Sequence, residues 1–136
     1  MPDLETVLYT RLSGFAGLSA LVSSRVYPVE PPQNPTAPYV TYQRVDEQVL
    51  MGMTQDHGMT APIVQVDCWG ETYASARAVA AQVRSALKRW SDAATNPVVL
   101  DSFLRSSRDM GRDGEVNDAE PRLFRMSLDF EIWHRE

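Results

Sequence analysis

Acidic residues at loop spacing are the strongest chemical signal in this chain. The run Asp109-Met110-Gly111-Arg112-Asp113-Gly114-Glu115-Val116-Asn117-Asp118-Ala119-Glu120 can be laid on the twelve-residue calcium loop. It supplies acids at positions one and five, a turn glycine at six, an apolar residue at eight, a candidate ligand at nine and a glutamate at twelve. Such a loop works because a sharp turn brings several oxygens around one hard cation. Gly111, however, stands at position three and offers no side-chain oxygen, and Pro121 follows the glutamate that should open an exit helix. The flanks on both sides read as strands. A polar hairpin loop with a glycine turn accounts for the same residues without metal, and calcium binding through 109–120 is the alternative.

Asp129 and Glu131 share one side of a strand pattern, and with Asp67 or Glu71 they have the residue types of a magnesium site. Solvated strand charges explain them as well. Cys68, His57 and His134 are the only cysteine and histidines, too few for a cysteine cluster or a three-histidine site. No spacing joins a nucleophile to a base and an orienting group. Neither GxxxxGK[ST] nor GxGxxG occurs. The sequence predicts no catalytic, cofactor or metal residues, and hence no enzyme.

The elements that must position these groups are clearer than the chemistry. In Ile63 to Gly70, Val64, Val66 and Cys68 alternate with Gln65 and Asp67, a strand with one buried and one polar face. After Gly70 the period changes. Ala76, Val79, Ala80, Val83, Leu87 and Trp90 fall on one side of a helix of about five turns, while Arg77, Arg84 and Lys88 fall on the other. Upstream, Asp3 is placed to cap a first helix through Leu4, Val7, Leu8 and Leu12, and Leu18 to Val22 predict a short second one. Five of nine prolines lie between Pro28 and Pro38, which excludes helix and central strand there. Further strands are predicted at Tyr39–Val45, at 98–104 and, most cleanly, at 124–132, where Phe124, Met126, Leu128, Phe130 and Ile132 share a face. The predicted fold is α+β: a two-layer sandwich of a mostly antiparallel, about four-stranded sheet against one long helix, plus a short N-terminal helix.

Composition limits the function classes. A chain of 136 residues fits one domain, 1–136, with a real core. Thirteen basic against eighteen acidic residues give a formal charge of -5, which argues against tight nucleic-acid binding. No apolar run reaches the length of a membrane span, and Asp3 and Glu5 stand where a signal peptide carries positive charge. The expectation is a protein made in the cytoplasm, with no membrane partner.

Two surfaces are candidates for contact with other chains. The segment Asp46 to Pro62 carries Leu50, Met51, Met53 and Met59, either tucked onto the core from a long hairpin or held in an arm that orders against a partner. The outward face Arg77, Arg84, Lys88 is either an ordinary solvated helix side or a patch for acidic residues of another copy, with Asp46-Glu47 and 109–120 available.

Several blocks, in order and spacing, resemble the bacteriophage tail completion, or tail terminator, family. They are Leu4-Glu5, Arg25-Val26-Tyr27-Pro28, Pro38-Tyr39-Val40-Thr41-Tyr42-Gln43, Val64-Gln65-Val66-Asp67-Cys68-Trp69, the helix from Tyr73 through Ala76 and Ala80, and Asp129-Phe130-Glu131-Ile132-Trp133-His134. The resemblance implies a structural virion protein at the head–tail junction, assembled in the host cytoplasm. It further implies a ring, commonly six-fold, that caps the completed tail tube and docks to a head-side connector, with DNA passing through the lumen without specific binding. The implied partners are other copies of the chain, the tail tube protein and a connector or neck protein. A closed ring needs heterologous interfaces, for which a basic helix face and an acidic loop are suited. The alternatives are a head-side neck protein and a free cytoplasmic α/β binding module.

Overall fold

The computed structural model describes residues 4–33, 35–46, 59–95, 97–113 and 123–135. Helix α1 (Leu4–Gly14) buries Leu4, Val7, Leu8 and Leu12 at helical spacing. Phe15 then takes an extended conformation and α2 (Ala16–Val22) follows, burying Leu18 and Val22. Strand β1 (Val26–Pro28) runs parallel to β2 (Tyr39–Asp46), with the proline-rich segment making the crossing.

Strands β3 (Met59–Thr60) and β4 (Ile63–Gly70) both pair antiparallel with β6 (Leu123–Arg135). Strand β5 (Val98–Asp113) pairs along the whole length of β6. It therefore takes one edge of β6, and β3 and β4 share the other as a single row interrupted at Ala61-Pro62. Bridging that break, Ile132 donates its N–H to the Pro62 carbonyl at 3.1 Å. The sheet thus has six strands in five rows, β1-β2-β4/β3-β6-β5, antiparallel except at β1.

The expected four strands are all present, and two more accompany them. β1 and β3 have three and two residues, too few to show a period. Met59, expected in a loop, opens β3. β5 runs nine residues past the predicted end at Leu104, into what was expected to be a hairpin loop. Its register shifts between Val99 and Asp101, Leu104 and Ser106, and Asp109 and Arg112. Each shift is a bulge that breaks the two-residue alternation.

Helix α3 (Tyr73–Leu87) covers one face of the sheet, packing on β4 and β6 with Ala76, Val79, Ala80, Val83, Ala86 and Leu87. Thr72 caps its start, accepting from the Ser75 N–H at 3.1 Å. The helix ends at Leu87 rather than Trp90. Arg89 turns back with φ 57, and Trp90 remains buried beneath the helix end. Against these helices lie Val40, Tyr42, Val64, Val66, Cys68, Leu128, Phe130 and Ile132. Among the described residues, no helix packs on the opposite face of the sheet.

Candidate assembly surface

The 3.6-residue period of α3 sends its apolar residues to the sheet and leaves Arg77, Arg84 and Lys88 exposed together. The predicted basic face is therefore present. The side chain of Arg77 lies over the Tyr73 ring, 5.7 Å from its centroid, and the Tyr73 hydroxyl donates to Asp109 at 2.7 Å. That hydrogen bond, reinforced by the nearby carboxylate charge, raises the phenol above its ordinary pKa; Arg77 opposes the shift. Beside the helix, Arg77 and Arg84 flank a groove of about 130 Å³ whose floor includes Met126 and Leu128 of β6 and whose far wall is Ser107 of β5. Among the described residues, no ion pair joins either arginine to a carboxylate.

The other predicted contact residues are placed differently. Leu50, Met51 and Met53 lie outside the described residues, and Met59 is fixed in the sheet by pairing with Arg135.

The helix-free face of the sheet carries a polar and aromatic surface that sequence reasoning treated as plain solvated charge. Tyr39 and Trp69 stack with centroids 5.8 Å apart at 16°, and Arg125 lies over Trp69 at 5.3 Å. The Trp69 indole donates to Thr41 Oγ1 at 3.1 Å. Arg108 reaches Asp129 at 3.0 Å and Ser127 at 3.1 Å. Glu131 accepts from the Trp133 indole at 2.6 Å and faces Arg105 at 3.7 Å. These long side chains bury what lies below them. Asp67, expected to be solvated, is only 7% exposed, with both carboxylate oxygens held by the Gln65 amide. The magnesium grouping is thus divided. Asp67, Asp129 and Glu131 each serve a different partner, and no metal-type cluster occurs among the described residues.

The remaining chemical candidates also separate. Asp109 to Asp113, the entry half of the calcium pattern, is strand rather than loop, and residues 114–120 lie outside the described residues. Cys68 is fully buried opposite Met126, and burial, with Asp67 adding to it, pushes its thiol far above the ordinary value. His134 lies eight residues further along the same strand, roughly 26 Å away at strand rise. It is buried, with Thr60 Oγ1 2.9 Å from Nε2. His57 lies outside the described residues.

Sequence reasoning missed a second cleft, about 280 Å³, where the α1–α2 elbow meets the segment after α3. Arg11 organises it: Nε donates to the Ala86 carbonyl at 2.8 Å, and the guanidinium lies 5.4 Å from the Phe15 ring and 5.8 Å from Trp90. The only sequence signal was a basic residue in the last turn of α1.

Three comparisons bear on this arrangement. The family described as Tail completion protein gp17 matches residues 6–135. The comparison with curated proteins returned no match. Among solved structures, a chain from the virion of a native gene transfer agent particle superposes with TM-score 0.70 at 22% identity, covering 98% of this chain and 95% of that one. A second solved chain gives TM-score 0.53 at 17% identity over 95% and 92%. At these identities the likeness establishes a shared fold.

Proposed function

This chain belongs to the tail completion protein gp17 family, a family of structural virion proteins, and from that premise we propose that it caps the finished tail tube as a ring of identical subunits, six in the expected form. The ring then joins the tube to the head-side connector. The observation that carries this reading is the near full-length family match, 6–135. The exposed flank of Arg77, Arg84 and Lys88 supports it, because a ring closes through unlike patches and this flank has no acidic partner among the described residues of its own copy. Residues Leu50, Met51, Met53 and Met59 are proposed contacts to the tube or to a neighbouring subunit.

The charge pattern suits a ring that DNA passes through. The net charge is -5, and Arg108 and Arg105 on the helix-free face are engaged by Asp129 and Glu131. On that face these pairings hold two arginines that would otherwise be free to grip phosphates.

Electron microscopy of particles assembled without the protein tests the reading. Tails of uncontrolled length support it. Finished tails of normal length that fail to join heads shift the role to the head side of the neck, and normal infectious particles overturn both.

A further inference from the structure

We propose that the cleft at the α1–α2 elbow receives the Val29-Glu30 corner of a second copy of the chain, with Val29 against Phe15 and Trp90 and Glu30 on Arg11. This rests on the ring reading above and names a contact that closes it.

The corner is held in an exposed position. Val29 is 65% exposed, the most of any large apolar residue among those described, and has φ 63, a left-handed conformation that β-branched side chains avoid. Its N–H is bonded to the Tyr42 carbonyl at 2.8 Å, and the Glu30 N–H to the Pro28 carbonyl at 2.7 Å. Pro31 restricts Glu30 in turn. A valine kept in strain at a site where it buries little marks a place that serves something besides the stability of its own copy. Glu30, also exposed, sets a carboxylate beside it that makes no ion pair among the described residues.

The cleft offers the matching groups. Its volume of about 280 Å³ has room for one apolar side chain and a carboxylate, and its apolar lining includes Phe15 and Trp90. Both rings lie against the Arg11 guanidinium. Among the described residues, Arg11 hydrogen-bonds only through Nε, to the Ala86 carbonyl, so the fork is fixed while its two Nη groups are left for a ligand. A guanidinium held in this way loses little freedom on taking a carboxylate. Asp92 shares the cleft wall without pairing to Arg11; its Oδ1 accepts from the Ala94 N–H at 2.9 Å.

Corner and cleft share no residue and lie toward opposite edges of the sheet. Val29 continues β1 along the outer side of β2. Asp92 exchanges both backbone bonds with Val99, on the side of β5 away from β6. The β1 and β5 rows stand about 19 Å apart at ordinary strand spacing. A patch toward one edge that fits a different patch toward the other joins copies head to tail, which is a heterologous contact and can close a ring.

Sedimentation velocity of the full chain over a wide concentration range tests the contact. The wild type is expected to associate beyond the dimer. V29N and E30K should each weaken association at least about tenfold, as should G14E, which gives Arg11 an acid of its own copy one helical turn away. Folding should not suffer. Asparagine accepts a left-handed conformation better than valine, so V29N should melt no lower than wild type, and a Cβ at Gly14 meets nothing within 4 Å. A V29N/E30K chain mixed with a G14E chain retains one good cleft and one good corner, so the mixture should form one-to-one dimers and stop there. The proposal is overturned by a wild type that stays monomeric or stops at the dimer, by folded variants that associate as wild type does, or by a mixture that remains monomeric. Normal tails built with V29N/E30K, set against defective tails without the protein, remove the contact alone. Normal tails without the protein remove the ring reading itself.

Discussion

The hydroxyl of Tyr73, the first residue of α3, donates a 2.7 Å hydrogen bond to the carboxylate of Asp109 on β5. The same ring stands edge-on to Phe124 of β6 at 6.0 Å. One side chain thus fastens the start of the helix to both long strands at the end where the sheet extends past the helical layer. Asp109 can reach it because it pairs with Met126, on the helix-facing side of the sheet.

That bond should be visible in a titration. The Tyr73 phenol is raised in the folded state, first by the Asp109 hydrogen bond. A raised acid favours the protonated form, so the linkage contributes below the ordinary tyrosine pKa of about 10 and is lost as pH rises through the higher folded value. Ultraviolet titration near 295 nm should show a late-ionising tyrosine that disappears in Tyr73→Phe and returns to the ordinary range in Asp109→Asn. An unaltered late component in either variant would contradict the bond.

Cys68 should be chemically silent. Its thiol is fully buried, and burial together with Asp67 keeps it protonated well above neutral pH. A thiol reagent added to the native protein should react only at the rate of unfolding, and at once in denaturant. Cys68→Ser places a hydroxyl in an apolar setting and is expected to cost about 1–3 kcal/mol in urea melts. Fast native labelling would mean that this part of the core opens.

The parts of the fold that follow a simple period were legible, and those that break it were not. Cys68 and the apolar side of α3 were read correctly because alternation and helical spacing hold there without interruption. On β5 the residues facing the helices are Val99, Ser102, Leu104, Ser107 and Asp109, spaced three, two, three and two by the bulges. No fixed period finds that pattern. Arg77, Arg84 and Lys88 were legible as an exposed face, whereas their groove was not, since Ser107 and Met126 reach it only through sheet pairing. Asp67 was misjudged for a related reason: alternation gives its face, but its burial comes from Gln65 and the long side chains around it.

Trp69 tests the helix-free face. Trp69→Phe retains an aromatic surface against Tyr39 and Arg125 but removes the donor to Thr41, which is itself buried, and should cost about 1 kcal/mol. Trp69→Ala removes the stack as well, and for this half-buried ring about 3 kcal/mol is expected. Urea denaturation of the two variants compares them directly. Equal losses would assign the whole effect to the hydrogen bond, and no loss in either would make the stack incidental.

Gly70 is where β4 must hand over to α3 with almost no space between them. A Cβ added there would stand 2.6 Å from the backbone nitrogen of Ala76 and 3.0 Å from the Ser75 side chain. Neither neighbour is free to withdraw. The Ala76 N–H is bonded to the Thr72 carbonyl at 3.1 Å, and the Ser75 N–H is held by the Thr72 cap at 3.1 Å. Gly70→Ala must therefore displace the first turn of the helix or the end of the strand, and overpacking of this kind costs about 1–3 kcal/mol. The expected result is a lower urea midpoint at unchanged slope. Because the same turn sets the position of Tyr73, the late phenol titration should weaken in Gly70→Ala too. A wild-type midpoint with normal Tyr73 behaviour would show that the strand–helix junction has room to spare.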